Sequence, residues 1–315
     1  MWLLAVGCLA VSLAVEAMAR VGLDRMSKIQ RRVTEEYRLA RAIGHDGAPA
    51  RHRVLFVGNS LLDEDVQFDR VRERLGGDWD ARRFVIEQTF YYDWYYGLKR
   101  LLHEGARPDV VVLMLTPGQW TRPDIRGDYS AQYLIRTADL PSVSRDLGLN
   151  PTQAANLVFS NVSKFWGARA EIRNFVLGHV MPDLGHLMNF SSVVGLPTSD
   201  AEVAAIARDR IVRLDALIRS HGARLVVLLP AVTERQDGSE GFLRAAQATR
   251  VTALRPIVSG ALGAELYRDA GFHLNPIGAA QFTDRLIPML KEQLAAVESE
   301  RQAPLGTAAV ASVNP

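Results

Sequence analysis

Apolar residues along this chain fall into two rhythms. Three runs are nearly continuous: RVLFVG at 53–58, PDVVVLML at 108–115 and ARLVVLLP at 223–230. Short apolar runs of this kind predict strands buried on both faces, as a parallel sheet requires. A further strand is expected at RFVIEQT, 83–89. Elsewhere the apolar positions return every three or four residues, which predicts helices. FDRVRERLGG (68–77) sets Phe68, Val71 and Leu75 on one face. YYDWYYGLKRLLHEG (91–105), DRIVRLDALIRSHG (209–222) and NPIGAAQFTDRLIPMLKEQLAAV (275–297) read as helices too. Gly222 stands where a helix C-terminus favours glycine, and Asn275-Pro276 pairs a favoured N-cap with a favoured first helical residue. Alternating strands and helices predict an α/β fold, a parallel sheet covered by helices.

Four segments stand outside that alternation. Residues 1–15, MWLLAVGCLAVSLAV, are almost unbroken apolar sequence, interrupted by Glu16 and closed by Arg20. A spanning helix needs roughly 20 such residues, with ~17 as the lower limit. No basic residue precedes the run, as a cleaved signal peptide would need, and a lipoprotein signal would have leucine where Ala5 stands. The reading favoured is a transmembrane anchor over 1–21. GLDRMSKIQRRVTEEYRLARAI (22–43) keeps helical spacing through Met26, Ile29, Val33, Tyr37 and Ile43. With the Gly- and Pro-containing GHDGAPARH it forms a helical stalk and linker over 22–52. The main domain is placed at 53–298, with a mostly helical insertion or lid at 119–198, and a disordered tail at 299–315.

Composition narrows the function classes. The 315 residues carry a formal net charge of +2, so no global field attracts nucleic acid. One cysteine, Cys8, excludes an internal disulfide or a cysteine zinc cluster. Seven histidines show no metal-ligand spacing, and no glycine-rich phosphate loop occurs, so neither metal nor cofactor is expected. Orientation is contested within the sequence itself. Arg20, Arg25, Lys28, Arg31 and Arg32 follow the apolar run, which by the positive-inside rule leaves the domain in the cytoplasm.

The candidate chemistry sits at the two ends of the domain. The first strand stops at Gly58-Asn59-Ser60, at the carboxyl edge where open α/β sheets bind ligands. Glycine permits a tight turn, Asn59 can hold it, and a helix starting near Ser60 would offer free N–H groups to an oxyanion. The same triplet is also an ordinary turn, and Asp63, Glu64 and Asp65 are sufficiently explained by a helix N-terminus. A serine hydroxyl needs a general base. His273, in YRDAGFHLNPIGAAQF (267–282), lies in a loop just before a helix start, and Asp269 four residues earlier could orient its ring.

These two blocks resemble the SGNH/GDSL hydrolases. Gly58-Asn59-Ser60 matches the family's first block, and DAGFHLNPIG its last, an acid and histidine followed by L-N-x-x-G. The resemblance implies a flavodoxin-like three-layer α/β/α sandwich and esterase, lipase or carbohydrate O-acetyl chemistry. It makes Ser60 the nucleophile and His273 the base. Three departures accompany it. The family's acid stands three residues before the histidine, where this chain has Ala270, and Asp269 is one place earlier. The second block's glycine is replaced in the region of Gln88 and Thr89. The third block keeps Gly118 but has no asparagine, leaving Gln119 as an amide donor. One oxyanion donor is worth about 3–4 kcal/mol, so these differences bear on activity.

Two functions follow. One is a membrane-anchored serine esterase or O-acyltransferase, with an ester on a glycan or lipid as substrate and the domain outside the cytoplasm. The alternative is a non-catalytic binding or scaffold protein of the same fold in envelope polysaccharide assembly. Other residues are given structural readings: His179 and His186 as packed or exposed, at least half of the aromatic cluster at 90–97 as helix packing, and Lys164, Arg169 and Arg173 as a solvated basic face.

Overall fold

The structure, a computed structural model, describes residues 2–26, 28–45, 47, 52–169, 172–173, 199–234, 237–268 and 271–302. Five parallel strands form the sheet: β1 (His52–Gly58), β2 (Trp79–Val85), β3 (Val110–Met114), β4 (Arg224–Leu228) and β5 (Thr252–Leu254). Their order is β2-β1-β3-β4-β5, that of a flavodoxin-like doubly wound sheet.

Because successive strand residues point to opposite faces, each strand feeds two cores. On one face Leu55, Val57, Val111, Leu113, Leu225 and Val227 pack against three helices: α2 (Lys28–Ala42), α5 (Tyr91–His103) and α11 (Asp200–Arg219). On the other, Val54, Phe56, Val110, Val112, Met114, Val226 and Leu228 meet α3 (Ser60–Asp65), α4 (Phe68–Leu75) and α13 (Pro276–Gln302). Helix α12 (Ser239–Thr249) joins β4 to β5. The result is a three-layer α/β/α sandwich.

The apolar helix α1 (Trp2–Met26) precedes the sandwich, and its Trp2–Gly22 portion is long and apolar enough to cross a membrane. A signal sequence passes the same test of length and composition. Between β3 and α11 the chain forms a helical insertion: α6 (Pro117–Thr121), α7 (Asp128–Tyr133), α8 (Leu140–Asp146), α9 (Pro151–Val162) and α10 (Lys164–Gly167). Residues 174–198 of it, with His179 and His186, lie outside the described residues, as do 303–315 of the tail.

Several elements differ from expectation. Strand β2 begins and ends four residues before the expected 83–89, because it is an edge strand with only Ala81, Phe84 and Val85 buried, not a continuous apolar run. Helix α11 starts nine residues earlier than periodicity alone indicated, where the Ser199 hydroxyl accepts from the Glu202 N–H. Helix α12 and strand β5 were not expected at all; β5 is only three residues long. His273 is not in a loop. It belongs to an antiparallel ribbon of β6 (Tyr267–Arg268) and β7 (His273–Leu274). As expected, α13 starts after Asn275, whose Oδ1 accepts from the N–H groups of Ile277 and Gly278.

Candidate active site

Gly58 ends β1 where only a glycine fits: a Cβ there would lie 2.8 Å from the Met114 carbonyl oxygen of β3. Asn59 follows, wholly buried. Its Oδ1 accepts from the Leu61 N–H at 3.1 Å, capping α3, and its Nδ2 donates to the Thr89 carbonyl at 3.1 Å. The asparagine thus ties the turn after β1 to the loop after β2. Ser60 is the first residue of α3, where the N–H has no intrahelical acceptor.

The ribbon β6–β7 carries His273 to this point. Its Nε2 stands 2.9 Å from Ser60 Oγ, across 213 positions of sequence. Both residues are half-buried. With the ring proton on Nδ1, Nε2 accepts the hydroxyl proton, the arrangement an activated serine needs. Phe272 stacks edge-on against the imidazole, with ring centroids 4.9 Å apart. Asp269 lies outside the described residues.

Helix α3 is bolted to the ribbon at two further points. Glu64 pairs with Arg268. Asp65 Oδ1 accepts from the Leu274 N–H at 2.8 Å. Asp65 is wholly buried, and burial pushes its carboxyl up to about 8 although that hydrogen bond opposes the shift. The phenol of Tyr267, on β6, is pushed up to about 12 by burial and then by Asp65. Asp65 escaped the sequence reading, which treated it as one of three acids at a helix start. Its position four residues after Leu61 was the available signal, since that spacing puts it on the apolar face.

The residues singled out around an oxyanion have these positions. Gln88 is exposed and holds φ +60°, the left-handed region that favours glycine, at the place where the resembling family has one. Thr89 is buried; its hydroxyl donates to the Ile86 carbonyl and accepts from Trp94 Nε1. Gly118 and Gln119 lie in α6. The Gln119 side-chain oxygen Oε1 accepts from the Thr116 N–H, and Thr116 Oγ1 accepts from the Gln119 backbone N–H, a reciprocal cap. Thr116 and Gly118 line a cavity of about 170 Å3 with Thr233, Glu234, Gly271 and Phe272, so it opens beside the residues that lead into β7 and His273. A larger cleft of about 470 Å3 between α4 and the start of β2 lies at the opposite end of the strands from Ser60.

In the aromatic cluster Tyr91, Trp94 and Tyr96 are fully buried, whereas Phe90, Tyr92 and Tyr95 keep some exposure. Of the basic residues expected on a solvated face, Arg169 pairs with Asp128 and stacks on Trp166, and Lys164 bonds to Tyr133. No group of three or more potential metal ligands occurs among the described residues.

No protein-family model matches the chain, and no curated protein matches it. Solved structures of similar outline include a GDSL-like lipase from Bacteroides thetaiotaomicron, 12% identical, covering 87% of this chain and 98% of its own, with TM-score 0.41. Another is a catalytic mutant of the acetylxylan esterase Axe2 from Geobacillus stearothermophilus, 12% identical, covering 76% and 94%, with TM-score 0.39. A carbohydrate esterase of family 3 from Talaromyces cellulolyticus is 11% identical, covering 78% and 99%, with TM-score 0.42. Likeness at this level carries no argument about mechanism or substrate. The strand order and the contact between Ser60 and His273 are this chain's own.

Proposed function

We propose that this protein is a membrane-anchored serine esterase or O-acyltransferase of SGNH type, acting on an ester of a glycan or lipid. The observation that carries the reading is the 2.9 Å contact between Ser60 Oγ and His273 Nε2 at the carboxyl edge of the sheet. In the proposed cycle Ser60 Oγ attacks the ester carbonyl while His273 Nε2 takes the hydroxyl proton. The tetrahedral oxyanion faces the Ser60 N–H and the backbone of the Gln88–Thr89 loop, which Asn59 holds beside it. Collapse expels the alcohol, which receives the proton from His273. Water or a sugar hydroxyl then attacks the acyl-enzyme, with His273 again as base, and Ser60 is released. Asp269 is assigned to orienting the imidazole. Acetylated envelope carbohydrate is the first substrate class to try, and the apolar α1 would place the enzyme at the membrane.

The test uses the full-length protein in detergent micelles and a fluorophosphonate probe, with the adduct located by mass spectrometry. Wild type is expected to be labelled on Ser60. Ser60→Ala and His273→Ala should abolish labelling while keeping the same thermal unfolding. Asp269→Asn should slow it, by up to ~10⁴-fold if the carboxylate sets the tautomer. Folded wild-type protein that takes no label would overturn the reading in favour of a binding protein.

A further inference from the structure

The insertion leaves an apolar patch in the open. Phe159 and Val162 on α9 are 56% and 51% exposed, and Phe165 and Trp166 on α10 are 38% and 40% exposed. Val158, Phe159 and Val162 share one side of α9 by their spacing. Scattered apolar residues on a surface need no explanation, but a contiguous group does.

The patch adjoins α1. The Glu16 carboxylate accepts from the Lys164 N–H at 2.8 Å, the Phe165 N–H at 3.1 Å and the Ser163 hydroxyl at 2.8 Å. Arg20 donates to the Val162 carbonyl, and Ala19 is buried with Ala168 against Ile172. Before Glu16, the side chains of Leu3, Leu4, Val6, Leu9, Val11 and Leu13 are exposed. The apolar surface of α1 therefore runs into that of α9 and α10.

Length decides how deep the junction sits. The uncharged stretch Trp2–Val15 spans about 21 Å at ~1.5 Å per residue, short of the ~30 Å hydrocarbon core of a bilayer. The candidate span Trp2–Gly22, about 31 Å at the same rise, contains Glu16, so a bilayer that covers the span reaches the level of α10. The charge there is tolerable, because Glu16 has three hydrogen-bond donors and an ion pair with Arg20. The aromatics suit the boundary as well. Trp166 donates its Nε1–H to Asn156 and lies under the Arg169 guanidinium, so its ring has a polar and an apolar side.

We propose that Phe159, Val162, Phe165 and Trp166 form a second membrane contact, inserted into the interfacial layer of the lipid bilayer beside α1. The domain is thereby seated on the membrane through its insertion and is not merely tethered by one helix. This rests on α1 being a membrane anchor, and not on the esterase chemistry.

The test is depth-dependent quenching in the full chain. Single cysteines replace Phe159, Val162, Val11 or Arg74 in a Cys8→Ser background, each labelled with the environment-sensitive fluorophore NBD. The proteins are reconstituted into vesicles of phosphatidylcholine and phosphatidylglycerol containing doxyl-labelled lipid in both leaflets. Labels at 159 and 162 are expected to shift to the blue and lose emission to a doxyl group near the headgroups. The label at 11 should respond to a deep doxyl group, and the label at 74, exposed on α4, to neither. Quenching at 11 with 159 and 162 indistinguishable from 74 would overturn the proposal while keeping the anchor. A blue shift at 159 and 162 without lipid quenching would show a protein cover instead and also overturn it. No quenching at 11 removes the anchor on which the proposal stands, whatever the result with the fluorophosphonate probe.

Discussion

The residues that matter most near Ser60 are held by buried polar groups, and Asp65 is the one with a measurable signature. Its carboxyl, pushed up to about 8 by burial, keeps its proton in the folded protein where the unfolded chain loses it near pH ~4. Between those values the folded state binds more protons, so stability falls as pH rises, by up to about 1.4 kcal/mol per pH unit. Asp65→Asn keeps an acceptor for the Leu274 N–H and carries no charge. Its stability is expected to exceed that of wild type by a margin that widens from pH 5 to pH 8, measured by denaturant unfolding in micelles. Asp93, pushed up to about 7 by burial, contributes the same sign in both proteins, so the difference isolates Asp65. Parallel curves would refute the buried-acid account. Asp65→Ala removes the acceptor and is expected to destabilise by roughly 1–3 kcal/mol. Ser60 and His273 were legible because each stood in a distinctive local block. Asp65 was not, because its meaning depends on a ribbon that pairs with α3 from the far end of the chain.

At the level of elements, the central strands were the easiest to read. β3 is buried throughout, and β1 from Val54 and β4 from Leu225 onward are buried on both faces, so those stretches are apolar without interruption. β2 and β5 lie at the edges of the sheet, where one side of the strand no longer needs apolar residues, and there the sequence misled. The outer edge of β2 is covered by α2. Glu36 accepts from the Val85 N–H at 2.9 Å and from Arg83 at 3.0 Å, and Val33, Ala40 and Ile43 are buried beside the sheet. A helix that connects the apolar segment to the sandwich thus also protects an edge strand. Arg32 extends the contact to Asp63 of α3 and to Glu87, next to the left-handed Gln88. Burial pushes the Glu36 carboxyl up while Arg83 and the Val85 N–H pull it down. Glu36→Ala leaves the Val85 N–H without its acceptor and Arg83 without that carboxylate. Denaturant unfolding is expected to show a loss of about 1–3 kcal/mol, and hydrogen exchange at Val85 should accelerate ahead of the central strands. Unchanged protection at Val85 would mean that α2 contributes nothing to this edge.

For the molecule as a whole, the acidic residue that breaks the N-terminal apolar run is the informative one. In the sequence Glu16 only shortened a candidate span. In the structure it caps α10 and joins α1 to the insertion. That partnership could not be read from periodicity, because it links positions nearly half the chain apart. It also reverses the usual expectation for a charge in an apolar helix. Glu16→Leu makes α1 a better membrane segment by composition, yet removes the acceptor of the Lys164 and Phe165 N–H groups. The variant is expected to remain in the membrane fraction after carbonate extraction while the amides of 164–168 exchange faster. A lost cap of about 1–2 kcal/mol corresponds to roughly tenfold. Glu16→Gln, which keeps a neutral acceptor, should fall between the two. Faster exchange confined to Glu16→Leu and Glu16→Gln, with the sheet unaffected, would identify the carboxylate as the joint between α1 and the domain. Exchange identical to wild type in both would show that the Glu16 carboxylate is dispensable and that α1 is held to the insertion by Arg20 on the Val162 carbonyl and by Ala19, Ala168 and Ile172.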